Sequence, residues 1–199
     1  MSTLKMRSPV SPARTGVWIG IAAITMSFAA YTSALVVRQG AGADWQHLQI
    51  PPLLYFNTLV LLASSGTLWL GTSRLRWSWV QAASDVSIRP DAPPQGIGWL
   101  YLTLGLGLLF VAGQVVAWRG LAAQGLFLAS NPNSAFFYVL TALHAVHLLG
   151  GIVALTYMVN RLGRPGAGPQ EGPLGATALY WHFMDALWLY LLLVLVTRL

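Results

Sequence analysis

Leu174–Thr197 reads LGATALYWHFMDALWLYLLLVLVT, and apart from two tyrosines its only ionisable side chains are His182 and Asp185, three residues apart. A helix rising ~1.5 Å per residue needs about 20 apolar residues to cross a ~30 Å hydrocarbon core, so this run is long enough to span a bilayer. An ionisable group at that depth costs at least ~2.5–3.5 kcal/mol on insertion scales. Asp185 therefore has to face protein, water or a polar headgroup rather than acyl chains.

Four further runs share this character: Gly16–Val37, Pro52–Thr72, Gly96–Trp118 and Ser134–Asn160. Charged residues make up 8% of the chain and hydrophobic ones 56%, more apolar than a soluble domain of 199 residues requires. Because lipid cannot satisfy an open backbone, all five runs are predicted to be helices, which makes the chain an all-α integral membrane bundle. Residues 1–15 form a short cytoplasmic tail and residues 16–199 one five-helix domain. The connections are marked by breakers and polar residues, as in the GRPGAGPQEGP string before the last span, and none is long enough for a second domain. The first apolar run exceeds the ~7–15 residues of a signal-peptide core and is expected to remain as helix one.

Basic residues sort by side. Lys5, Arg7, Arg14, Arg74, Arg76, Arg89, Arg161 and Arg164 fall on the side of the N-terminus, against Arg38, Arg119 and Arg198 on the other. The positive-inside rule then places the N-terminus in the cytoplasm and the C-terminus outside, as five spans require. The net charge of +6 is spread through short loops, so it reads as a topology signal and not as a nucleic-acid surface. The absence of cysteine excludes thiol chemistry, disulfides and iron–sulfur clusters. No internal repeat suggests an inverted-repeat transporter. There is no nucleophile–base pair, phosphate-binding glycine loop or paired carboxylate to support independent catalysis.

Asp44, Asp85, Asp91, Glu171 and His47 fall in the connections, which leaves His144, His147, His182 and Asp185 inside the spans. Each pair is three residues apart and lies roughly on one helical face. Counting from the helix ends puts His147 and Asp185 near mid-bilayer, and consecutive helices are usually neighbours, so the two faces are expected to meet. Three readings fit the constellation: an interhelical hydrogen-bond network worth ~0.6–2 kcal/mol per bond; a lipid-headgroup or proton-assisting site; or a metal or haem site, for which further ligands are missing. Trp181 and Trp188 share the helical spacing of Asp185 and are expected to pack around the polar site. Gln114, Asn57 and Thr58 are expected to add bonds between helices.

YWHFMDALWLYLL (Tyr180–Leu192) closely resembles the last-helix motif of subunit III of the haem–copper terminal oxidases, in which WHF is followed by an aspartate and a tryptophan. LTALHAVHLLGG (Leu140–Gly151) is similar to that family's helix with two histidines three apart. Ala135-Phe136-Phe137 and Ser130-Asn131-Pro132 before it also fit. FNTLVLLASSGTLWLG (Phe56–Gly71) resembles its NT…LLxSS segment, and Gln114 with Trp118 its QxxEW segment. The resemblance covers most of the chain in the same order, and the chain looks like the short form that lacks the first two of seven helices.

The resemblance implies an accessory subunit of a proton-pumping cytochrome c oxidase in a bacterial cytoplasmic membrane. Such a subunit stabilises the catalytic subunit, binds phospholipid and supports proton uptake. The implied partners are the catalytic subunit I, subunit II and other respiratory-complex chains, with haem and copper in those partners and no cofactor or metal in this chain. Subunit III of a quinol oxidase, or a nitric-oxide-reductase-associated homologue, is the near alternative; a free-standing transporter or haem protein is the distant one. Two positions depart from the family pattern. Ile24 and Ala117 stand where the family often has glutamate, which leaves Asp185 as the only carboxylate expected within the spans.

Overall fold

A computed structural model describes residues 12–41, 51–84, 95–164 and 169–198. Five α-helices account for almost all of them: α1 (Pro12–Ala41), α2 (Leu53–Ser84), α3 (Ile97–Ala123), α4 (Pro132–Leu162) and α5 (Glu171–Arg198). All five are long and apolar enough to cross a membrane, as the sequence predicts. Lys5, Arg7, Asp44, His47, Asp85, Arg89 and Asp91 lie outside the described residues.

The helices outrun the apolar segments that announce them. The largest difference is in α2, which continues past Thr72 through Arg74, Arg76 and Gln81 to Ser84. Polarity ends a span but not a helix, and Leu75, fully buried, keeps this extension packed. Glu171, placed in a connection by the sequence reading, lies in the first turn of α5. An acid suits a helix N-terminus, and Pro173, two residues on and still in the first turn, has no intrahelical donor to lose. At α4 the chain turns sharply: Asn131 caps the helix by accepting from the Ser134 N–H at 2.8 Å, and Pro132 follows as the first helical residue.

In the packing, α5 lies against α1, α2 and α4, α3 bridges α2 to α4, and α2 and α3 share the most extensive contact. The α2–α3 pair comes close at Gly71 and Gly96. Gly96 has φ of 118°, and a Cβ there would sit 2.7 Å from the Gly71 carbonyl oxygen. Only glycine adopts that backbone at that separation without strain. Higher up the pair, the Thr67 and Thr103 hydroxyls bond at 2.9 Å.

The buried side chains form two apolar clusters along the bundle axis. One contains Phe28, Leu61, Phe110, Leu140, Met184 and Trp188. The other contains Leu68, Leu100, Ile152, Leu155, Leu174 and Trp181. Outward faces carry exposed apolar side chains such as Leu59, Trp69, Val153 and Leu193, as suits helices bathed in acyl chains.

Candidate functional site

Helix α5 passes from one apolar cluster to the other, and its polar residues lie at the changeover. Trp181 belongs to one cluster and Trp188 to the other, with His182 and Asp185 between them in sequence. Both indoles are fully buried, so in a dry environment each N–H needs an acceptor. Both find one on α2. Trp181 Nε1 donates to Ser64 Oγ at 3.1 Å and Trp188 Nε1 to Thr58 Oγ1 at 3.0 Å. Each hydroxyl in turn donates to a carbonyl of its own helix, Ser64 to Leu61 and Thr58 to Leu54, both at 2.8 Å. A third indole repeats the device between α3 and α4, where Trp118 Nε1 donates to Thr141 Oγ1 at 3.0 Å.

His182, half-buried, places Nδ1 2.6 Å from Ser65 Oγ on α2, and either atom is the donor depending on the imidazole tautomer. Ser65 also lies beside Asp185. Its hydrogen bond runs to the histidine, and neither Asp185 carboxylate oxygen meets a donor in hydrogen-bonding geometry among the described residues. Asp185 is 4% exposed. The α2–α5 seam thus holds a buried, uncommitted carboxyl group beside a serine–histidine pair, a setting suited to holding a proton or accepting a hydrogen bond from a polar visitor.

The histidines of α4 point elsewhere. His144 is fully buried, its ring 5.1 Å from that of Trp188 and 6.0 Å from that of Phe110 by centroids. Neither ring nitrogen has a hydrogen-bond partner among the described residues. His147 turns toward α1, where its ring meets Phe28 edge-on at 5.9 Å, and its Nδ1 lies 2.7 Å from the Leu143 carbonyl one turn back. The tie from α5 to this histidine is to its backbone, since Tyr180 Oη donates to the His147 carbonyl at 2.9 Å.

The expected meeting of two polar faces is therefore realised only in part. Helices α4 and α5 are neighbours, but among the described residues no hydrogen bond joins His144 or His147 to His182 or Asp185. Three residues along a helix are ~300° of rotation, so two side chains at that spacing diverge by ~60° and meet different neighbours. Thr58 makes the interhelical bond expected of it. Gln114 does not: both of its amide atoms are buried and unpartnered among the described residues, as is Asn57 Nδ2. Ile24 and Ala117 are buried in the apolar cluster that contains Trp188. Ser64 and Ser65, read from sequence only as part of the LLxSS segment, and Thr141 were not anticipated as hydrogen-bond partners. The signal that would have found them is the donor count: each buried indole N–H requires a hydroxyl or carbonyl near its own depth.

No group of three or more His, Cys, Asp or Glu side chains is disposed to hold a metal ion among the described residues. An open cleft of about 410 Å³ lies between α1, α4 and α5, lined by Ala13, Val17, Ala154, Tyr157, Ala176 and Tyr180 among others.

The family model of cytochrome c oxidase subunit III matches residues 18–197. The probable cytochrome c oxidase subunit 3 of Mycobacterium tuberculosis is 30% identical over 176 residues, covering 84% of this chain and 77% of the relative. Cytochrome c oxidase subunit 3 of Thermostichus vulcanus is 28% identical over 193 residues, 92% of this chain and 87% of the relative. That of Corynebacterium diphtheriae is 28% identical over 174 residues, 84% and 77%. With the family model reaching into all five apolar helices of the described residues and the relatives aligned over most of their own length, this chain belongs to the cytochrome c oxidase subunit III family.

Proposed function

We propose that the chain acts as the accessory third subunit of a proton-pumping cytochrome c oxidase, stabilising the catalytic subunit and supporting phospholipid binding and proton uptake. Haem and copper belong to the partner subunits in this reading, and this chain supplies no redox centre. The observation that carries it is the family match over residues 18–197.

Three features of the bundle support the finer roles. The indole–hydroxyl bonds from α5 to α2 and from α3 to α4 lock side chains across helices at several depths, which suits a rigid brace. The burial of Asp185 beside Ser65 and His182 supports a proton-holding role within the span. The cleft between α1, α4 and α5 is lined mostly by apolar side chains, as acyl chains require. Tyr157, in its lining, accepts from Arg161 at 3.2 Å, which brings a cation for a headgroup phosphate to that residue. The distribution of arginines supports a cytoplasmic N-terminus: Arg14, Arg74, Arg76, Arg161 and Arg164 cluster at the ends of helices on that side, and Arg38, Arg119 and Arg198 at the opposite ends.

The test is affinity purification of the chain from its membranes in mild detergent, with a visible spectrum and identification of the accompanying proteins. Haem bands and a large catalytic subunit are expected; a colourless, solitary chain overturns the proposal. In the recovered complex, Asp185→Ala is expected to weaken retention of this subunit or hasten loss of activity during turnover. Unaltered assembly with durable activity refutes a role for that carboxyl group.

A further inference from the structure

Beyond the group of Ser65, His182 and Asp185, the interior holds a second set of polar side chains. Gln114 on α3 is 1% exposed, His144 on α4 fully buried and Asn57 on α2 2% exposed. Both amide atoms of Gln114, both ring nitrogens of His144 and the Asn57 amide nitrogen lack a protein hydrogen-bond partner among the described residues. Buried polar atoms without partners are rare in folded proteins, so five in neighbouring side chains need a common cause.

The packing sets these side chains at one depth. Trp118 on α3 bonds Thr141 on α4, and Tyr138 Oη reaches back to the Trp118 carbonyl at 3.1 Å, which fixes the register of the antiparallel pair. One turn back along α3 is Gln114, and one turn on along α4 is His144, which puts the two at the same level of the pair. Phe110, one turn further along α3, confirms the level by packing against both His144 and Trp188. Asn57 enters from the third side: its carboxamide lies against Gly113, where any Cβ would collide with it. The neighbouring Thr58 accepts from Trp188, whose indole lies beside His144.

We propose that Gln114, His144 and Asn57 form a buried hydration site that holds ordered water between α2, α3 and α4. The chemistry selects water over an ion or a lipid. The three side chains bring no countercharge for an ion, and Phe110 and Trp188, both fully buried, wall the site from acyl chains. Their groups are complementary to a small molecule that both donates and accepts. The Gln114 oxygen and one imidazole nitrogen accept; the Gln114 and Asn57 amides and the other imidazole nitrogen donate. A water in such a place typically makes two to four hydrogen bonds, about what this set offers. Such water joins α2, α3 and α4 where direct side-chain bonds do not. The inference concerns the interior of this chain and does not depend on its partners.

The test uses the full-length chain in lipid bilayers, labelled with ¹⁵N-histidine. The chain has four histidines, and His144→Phe identifies the His144 signals by their loss. Magnetisation transfer from water to a His144 ring nitrogen is expected in the unaltered protein and is expected to be lost in Gln114→Leu. The same variant is expected to lower the thermal unfolding midpoint by about 2–4 °C, since it strips partners from a satisfied network. A dry site gives the opposite sign: removing an unpartnered amide leaves the midpoint unchanged or raises it. Either that result, or absence of water transfer to His144 in the unaltered chain, overturns the proposal. If Gln114→Leu fails to fold, the unaltered protein's spectrum still decides.

Discussion

The bond from Trp188 to Thr58 is the most measurable of the ties that fix α5 in the bundle. Trp188→Phe removes the N–H that donates to Thr58 Oγ1 at 3.0 Å and keeps an aromatic ring for the edge-on contact with Phe110, whose centroid is 4.8 Å away. The Thr58 hydroxyl is not stranded, because it still donates to the Leu54 carbonyl at 2.8 Å. A phenyl ring attached at Cβ takes the place of the smaller indole ring and leaves about 40 Å³ unfilled at the outer end, and at about 24 cal/mol per Å³ of residual cavity this costs about 1 kcal/mol. The hydrogen bond adds about 0.6–1.7 kcal/mol, the range for interhelical bonds inside membranes. The expected total is about 1.6–2.7 kcal/mol. Thr58→Val tests the same bond from the other side at nearly constant volume, leaving a fully buried indole N–H without its acceptor. A double-mutant cycle on the chain in detergent, unfolded by titration with a denaturing detergent, isolates the pair: the coupling is expected at about 0.6–1.7 kcal/mol, with the cavity cost cancelling. A coupling indistinguishable from zero would refute the claim that this bond holds α5 to α2.

Glycine substitutions give sharper contrasts within single helices. A Cβ at Gly107 would lie 2.7 Å from Trp181 Cη2, and that indole is fully buried and tied to Ser64, so it has nowhere to move. Gly107→Ala is expected to cost about 1–3 kcal/mol by overpacking. Gly105→Ala, where nothing lies within 4 Å, is expected to be neutral or slightly stabilising in the same assay. Gly96→Ala combines a φ of 118° with a collision against the Gly71 carbonyl. It is expected to destabilise the α2–α3 pair more than Gly105→Ala does any contact, read as earlier proteolysis of the segment between those helices.

Much of the architecture was legible from hydropathy because the bilayer imposes it. A segment such as Leu174–Thr197 has one stable disposition in lipid, so the number and approximate place of the spans follow from composition and length. The ends did not follow, because hydropathy detects where the hydrocarbon stops and not where backbone hydrogen bonding stops. Buried Leu75 carries α2 onward past Arg74, and Glu171 starts α5 within what reads as a loop.

The polar interior divides in the same way. The sequence alone determined that Asp185, His182, His144 and His147 stand within spans, and that the order of their motifs matches one family. Which groups meet was decided only by the tertiary structure. At 100° per residue a small change in helix rotation exchanges one neighbour for another, and spacing within a helix says nothing about the rotation of the helix beside it. His182 therefore meets Ser65, His147 meets Phe28, and His144 lies among Trp188, Phe110 and the level of Gln114. The indoles found acceptors in Ser64, Thr58 and Thr141, of which only Thr58 was expected to bond between helices; the donor count calls for hydroxyls at those depths, and only the packing pairs each with its indole.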